Sequence, residues 1–360
     1  MEPLKEMFNR TFYERFAAEF NKTLPTFDKS GFVKEVTKNL DELSLNQRLR
    51  RTTETLKSFL PADYKKAIGI MKRVIPDMHG GYTNLVFPDF VGQYGHDDFH
   101  TSMDALKYFT QFGSSEFAIR EFLKRDFDKT IKQMKEWSKD KNHHVRRLAS
   151  EGSRPRLPWS FKLDRVIQDP SLTISILQTL NKDPELYVRK SVANHLNDIS
   201  KEHPEFMLES IRNWDKSNQY TAWIIKHASR TLIKKGHSGS LSVFDFEKDA
   251  KVIIEKFKLN KNKLKLGDTL VFEFDLVSAK KKDQKLVVDY IIHYRKKLGE
   301  LSPKVFKLKE LKLGAGERLK IEKKQRFQDF TTRKHFKGEH LLEIQVNGKK
   351  LHQEKFHIHI

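Results

Sequence analysis

Apolar positions along the chain change their period near residue 240. Before it they recur every three or four residues. In 102–113, Met103, Leu106, Phe109 and Phe112 form one stripe, and in 186–199, Val188, Val192, Leu196 and Ile199 form another. A stripe at that spacing lies along one face of an α-helix and predicts helices that bury one side. After residue 250 apolar and polar positions alternate and β-branched residues accumulate, in 269–277 (TLVFEFDLV), 285–294 (KLVVDYIIHY) and 340–346 (HLLEIQV). Each predicts a strand. Gly267-Asp268, the glycines at 314 and 316, and Asn347-Gly348 supply turns. The last is a hairpin signal, because both residue types tolerate left-handed backbone. About seven short strands in roughly 110 residues predict an immunoglobulin-like β-sandwich, with a small open barrel as the alternative. The expected fold is multidomain, α then β. Residues 1–240 form a helical domain, residues 245–360 the sandwich, and 236–240 (GHSGS) a flexible linker.

The helical part carries weak repeats. Ile119-Arg120, Val145-Arg146, Val188-Arg189 and Ile225-Lys226 each follow a turn and stand near the start of a predicted helix, at spacings of 26, 43 and 37 residues. The last two spacings are close to the HEAT period, so a HEAT-like solenoid is expected. If the repeated basic residues line its concave face, that face is an electropositive groove; alternatively they are surface positions of ordinary helices.

Charge sharpens this picture. The 360 residues carry a net charge of +21, and hydrophobic residues make up 38%, enough to bury a core. So large a surplus points to a polyanion, most commonly nucleic acid, with solvated lysine faces as the bland alternative. Residues 241–360 hold 29 Lys/Arg against 17 Asp/Glu, so the predicted sandwich is the more basic part per residue. That suits a second contact with phosphates. The absence of cysteine excludes disulfides, thiolate metal sites and a Cys nucleophile. Residues 1–10 are charged throughout and no apolar stretch could span a bilayer, so a soluble cytoplasmic protein is expected.

The most unusual stretch is 143–159, HHVRRLASEGSRPRLPW. Arg146, Arg147, Arg154 and Arg156 surround one carboxylate, Glu151. A helix is predicted from His143 to about Ser150, broken by Gly152 and Pro155, which leaves Glu151 at its C-terminal end. A salt bridge would explain Glu151. Yet a helix dipole disfavours a carboxylate there, and local conflict of this kind points to function. Trp159 is either a core anchor or, in its Pro-flanked loop, an aromatic face beside the carboxylate, suited to a cationic sugar. In 113–120, GSSEFAIR, Ser114 or Ser115 is a candidate helix cap, and Glu116 belongs in the first turn for dipole reasons alone. His96 and His100 have helical spacing but no third ligand, and His357 and His359 share one face of the last predicted strand. No metal site, Gly-rich phosphate loop or nucleophile elbow is recognised.

Segments 91–123, 143–159, 183–197 and 214–236 together resemble the AlkC-type branch of the AlkD/AlkC alkylpurine DNA glycosylases, and 245–360 resembles the immunoglobulin-like domain of one subgroup. The resemblance implies excision of cationic N3-methylated bases, chiefly 3-methyladenine and also 3-methylcytosine. It implies duplex DNA carrying alkylated bases as partner, no metal or organic cofactor, no membrane, and no obligate protein partner. Glu151 matches the family's catalytic carboxylate, Trp159 its aromatic neighbour, and Glu116 a second acidic position facing the lesion. The family works without flipping the base, unlike most glycosylases. Candidate phosphate contacts are Arg146, Arg147, Arg154, Arg156, Arg189, Lys226, Arg230, Lys234 and Lys235. The alternatives are a HEAT scaffold that senses distorted DNA without catalysis and a HEAT adaptor for an acidic protein.

Overall fold

The computed structural model describes residues 3–247, 249–330 and 333–359. The chain forms two compact units, one of Met1–His203 and Ser210–Ala228, the other of Pro204–Glu209 and Ser229–Ile360.

The first unit is helical. Leu45–Phe59, Val86–Tyr94, Glu116–Arg125, His143–Gly152, Leu186–Ile199 and Gln219–Ala228 form a row in which each helix packs on the next. Arg10–Thr23, Tyr64–Val74, Phe99–Phe109, Phe127–Trp137 and Ser171–Thr179 back this row. The predicted 186–199 helix has those bounds, and its stripe of Val188, Val192, Leu196 and Ile199 is buried. The 102–113 stripe is shorter than expected. Met103, Leu106 and Phe109 are buried in the helix Phe99–Phe109, but Phe112 lies past its end, because the chain turns before Gly113.

The apolar members of the repeated pairs, Ile119, Val145, Val188 and Ile225, are all buried. Their basic partners behave differently from one another. Arg146 donates to the carbonyls of Asp140 (3.0 Å) and Lys141 (2.9 Å), and Arg189 to those of Asp183 (3.0 Å) and Pro184 (2.5 Å). Both therefore close the turn preceding their own helix, six and five residues back. Arg146 also grips the Asp183 carboxylate of the following repeat at 2.6 and 3.1 Å. Lys226 is exposed. Arg120 has no exposure at all, so it cannot line a groove; its guanidinium serves the loop described below.

The second unit is a β-sandwich with short flanking helices. Its strands are β1 (Val252–Leu259), β2 (Lys263–Lys265), β3 (Thr269–Ser278), β4 (Gln284–Arg295), β5 (Leu301–Leu313), β6 (Arg318–Arg326), β7 (Gly338–Val346) and β8 (Lys349–His359). One sheet has the order β1-β3-β6, the other β2-β8-β7-β4-β5, antiparallel except for β2 beside β8. Leu270, Phe272, Phe274 and Leu276 of β3 meet Leu286, Val288, Tyr290 and Ile292 of β4 in the core. Alternation in the sequence is the cause, since residues two apart share a face. Asn347-Gly348 makes the β7–β8 hairpin turn with φ of 48° and 81°.

The expected flexible linker at 236–240 is instead ordered structure. Ser238–Val243 is a short helix, Ser240 is buried, and Leu241 packs with Ile233, Phe246 and Val287. Gly236, at φ 69°, lies so close to Gly348 that a Cβ on Gly348 would stand 2.2 Å from the Gly236 Cα. The glycine and serines of GHSGS allow close packing there, a use that composition does not distinguish from flexibility.

Candidate active site

The helix His143–Gly152 is capped by Asn142, whose side chain accepts from His144 N (2.9 Å). Val145, Leu148 and Ala149 turn into the core, which leaves Arg147 and Glu151 one turn apart on another face. A Cβ at Gly152 would sit 2.5 Å from Ile119, so close packing demands glycine directly after Glu151. Glu151 is only 6% exposed. Its Oε1 accepts from Arg154 Nη1 at 2.6 Å, and Arg147 Nη2 stands 3.6 Å away. Burial works to raise the Glu151 pKa, but Arg147 and Arg154, with hydrogen bonds from Ser191 and Arg154, outweigh it and hold the carboxyl below its usual range. Arg154 is anchored in turn by Asp198, at 2.9 and 2.8 Å.

Of the four arginines around Glu151 in sequence, two engage it. Arg146 belongs to Asp183, and Arg156 pairs with Glu202 at 2.5 Å. Arg147 joins the two predicted acidic positions, because it also bonds the Glu116 carboxylate. Ser114 Oγ completes this group, donating to Glu116 (2.7 Å) and accepting from Arg147 (2.7 Å). Of the two candidate caps, Ser115 turns inward to the Leu106 carbonyl (2.8 Å), whereas Ser114, besides serving the ion pair, accepts from the Glu116 N–H (3.4 Å) at the start of the helix Glu116–Arg125.

Trp159 is 74% exposed, not a core anchor, and its φ is 64°. A bulky residue with left-handed backbone costs about 1–3 kcal/mol and persists only where its surroundings impose it. Arg120 supplies that constraint. It donates to the carbonyls of Gly152 (3.0 Å), Arg154 (2.7 Å) and Phe161, and so ties both ends of the loop that presents Trp159. Burial, then Arg154, lower the Arg120 pKa to about 10, which leaves it charged at neutral pH.

Glu116, Glu151 and Trp159 all line one cavity of 600 Å³. Sequence reasoning missed three of its other walls. Tyr187 lies under the Arg147 guanidinium, 4.8 Å from the ring centroid; His144 meets the edge of Tyr187; and Tyr82 meets Trp159 at 6.5 Å, edge to face. Tyr187 follows the Asp183-Pro184 turn next to a recognised apolar stripe, but no local pattern marked it as facing a carboxylate. Burial, then His143 and Arg147, lower the His144 pKa, which favours a neutral imidazole. No lysine lines the cavity among the described residues. Of the remaining candidates for DNA contact, Lys235 is exposed, Lys234 donates to the Val305 carbonyl (3.2 Å), and Arg230 is half-buried. His96 packs on the Phe122 ring, and His357 and His359 lie on the exposed face of β8. No helix among the described residues is long and apolar enough to cross a membrane.

Beneath Glu151, His195 is fully buried, bonded to the Ser150 carbonyl (3.0 Å) and to Thr173 Oγ1 (3.2 Å). Burial drives its pKa from 6.5 to about 3. Between those values the unfolded chain binds more protons than the folded one, so stability falls as pH drops through that window. Urea midpoints should be lower at about pH 5.5 than at about pH 7.5, and His195→Gln should flatten the difference. Equal slopes for the two proteins would exclude His195 as the cause.

Residues 106–232 match the family described as "DNA alkylation repair enzyme", and residues 253–360 match "Uncharacterised protein YhaZ, C-terminal Ig-like domain". The chain is 40% identical to the Bacillus subtilis protein YhaZ over 97% of both chains. It is 46% identical to the Pseudomonas fluorescens alkylpurine DNA glycosylase AlkC, solved bound to DNA containing an abasic site analogue, with a TM-score of 0.96 over 100% of both chains.

Proposed function

Because this chain belongs to the AlkC family, we propose that it is a DNA glycosylase that hydrolyses the N-glycosidic bond of cationic N3-alkylated bases, 3-methyladenine foremost and 3-methylcytosine second. The observation that carries the proposal is the pair Glu116 and Glu151 held on either side of Arg147 beside an exposed Trp159. An N3-methylated adenine is already cationic, so no general acid is needed. The glycosidic electron pair passes to the base, which leaves neutral, and positive charge develops on the sugar. Glu151, held ionised by its arginines, stabilises that charge and accepts the proton of the water that attacks C1′. Trp159 offers the cationic sugar an aromatic face. Its exposure supports action on a base still in the duplex, since the side chain can meet the DNA at the surface without prior extrusion of the base. Release of free 3-methyladenine from methylated duplex DNA by the purified protein tests the proposal directly. A protein that binds such DNA and releases nothing is a sensor, not an enzyme.

The enzyme is expected to be monofunctional. A lyase needs an amine to form a Schiff base, and the cations at Glu151 are guanidinium groups. Borohydride should trap no covalent adduct with abasic DNA, and EDTA should leave excision unchanged. A trapped adduct or loss of activity to EDTA would contradict the mechanism.

The sandwich is proposed to act as a second DNA contact. At one end of it, the turn between β4 and β5 and the segment before β7 present exposed Lys296, Lys297, Lys334 and Lys337, with Leu298 91% exposed among them. Replacing these four lysines by glutamine should weaken binding to lesion DNA and flatten its salt dependence, by about 0.9 in log–log slope for each phosphate that is no longer neutralised. An unchanged slope would assign the basic charge to another role.

A further inference from the structure

A second cavity of 270 Å³ lies against the first, and the two share Tyr82, Leu85, Ser114, Phe117 and Trp159. Its far side is polar and predominantly acidic. Asp89 and Glu121 line it, with Arg50 as the cation. Arg50 is committed to Asp89 at 3.0 Å. No hydrogen bond or ion pair engages the half-buried Glu121 carboxylate among the described residues. In a chain with a net charge of +21, a carboxylate left open on a cavity wall is a poor structural choice, because cations to pair it are abundant. Asn46 and Gln93 add amide groups that both donate and accept. Phe117, Trp159 and Phe161 supply flat apolar walls. Aromatic faces with a few convergent polar groups are what a planar heteroaromatic ligand requires.

Resting on the glycosylase reading above, we propose that this cavity is a receiving site for the released base: a neutral adenine-type nucleobase held edge-on, its exocyclic amino group donating to Glu121. The charge change on cleavage supplies the reason. While bonded to the sugar, the base is cationic and attracted by Glu116 and Glu151. Once the glycosidic electron pair has moved onto it, the base is neutral and that attraction is gone. The adjoining cavity lies across the Tyr82–Trp159 pair and offers hydrogen bonds to a neutral base where the catalytic cavity offered charge. Asp89 stays paired with Arg50, which leaves Glu121 as the carboxylate open to the amino group of the base. Hypoxanthine, which carries an oxo group in place of the amino group, sets a carbonyl oxygen against the Glu121 carboxylate and is disfavoured.

The test titrates full-length protein, without DNA, with free 3-methyladenine, adenine and hypoxanthine, read by calorimetry and by tryptophan fluorescence. Saturable binding of the two amino bases is expected, with hypoxanthine weaker. Glu121→Gln should weaken the amino bases about tenfold, the scale of one charge-assisted hydrogen bond, and should narrow the gap to hypoxanthine because an amide can donate. Leu49→Trp, which fills the cavity, should abolish binding; Glu151→Gln should leave it intact. Single-turnover excision by Glu121→Gln should stay within about twofold of wild type, while inhibition by added 3-methyladenine is lost. The proposal is overturned if no base binds saturably, or if binding depends on Glu151 and not on Glu121, which would put the base in the catalytic cavity. Failure of the protein to excise bases from DNA would count against the glycosylase reading, and the titration with free bases distinguishes that outcome.

Discussion

Glu151→Gln protein should fold, bind methylated duplex DNA and release 3-methyladenine at least about 10²–10³-fold more slowly, the scale of removing one well-placed electrostatic partner from a dry site. Glutamine has the shape of glutamate and keeps the bond from Arg154, so the loss isolates charge. Because Arg147 and Arg154 hold the Glu151 carboxyl below the usual range, wild-type excision should also persist to lower pH than an ordinary glutamate would allow. Glu116→Gln should cost less. Glu116 is shared between Ser114 and Arg147, and its carboxylate is one step further from the Arg154–Asp198 anchor. Gel release assays on both variants, with melting curves to confirm folding, decide the matter. Near-wild-type release by Glu151→Gln would remove it from the mechanism, and an equal or larger loss at Glu116 would reverse the ranking.

Arg120→Met is expected to destabilise the helical unit by about 3–5 kcal/mol, since it removes a buried cation and its hydrogen bonds to the Gly152, Arg154 and Phe161 carbonyls. The effect on activity should exceed what partial unfolding explains. Arg120 touches no part of the cavity's carboxylates, but it ties Gly152, Arg154 and Phe161, and thereby fixes the left-handed backbone at Trp159. Arg120→Lys keeps charge but not the fork of donors, and should restore part of the stability while Trp159 remains poorly presented. The two quantities to compare are the urea midpoint and the single-turnover excision rate at a temperature where each variant is folded. If excision per folded molecule matches wild type in both, Arg120 is a structural residue only, and Trp159 holds its position by other means.

These expectations show where sequence was sufficient. The change of period near residue 240, the bounds of the 186–199 helix and the Asn347-Gly348 hairpin follow from local rules. Apolar spacing chooses the face of an element, and a few side chains adopt left-handed backbone at little cost. Glu151 was legible because it broke a local rule, a lone carboxylate at the wrong end of a helix. Trp159 was legible because proline and arginine surround it.

Tertiary structure alone decided the rest. The basic residues of the Ile-Arg and Val-Arg pairs look alike in sequence, yet Arg120 is buried under a loop 32 to 41 residues away, while Arg146 and Arg189 close turns beside their own helices. A guanidinium has donors enough for either use, and only the position of distant carbonyls selects between them. The same holds for GHSGS, read as a tether and found as a helix packed within the second unit, because glycine serves mobility and close contact equally well. Tyr187, Ser191 and Asp198 join the Glu151 site across 36 to 47 residues of chain. Side chains that meet only after helices stack leave no spacing to read, since their separation in sequence is set by the lengths of the helices and turns between them.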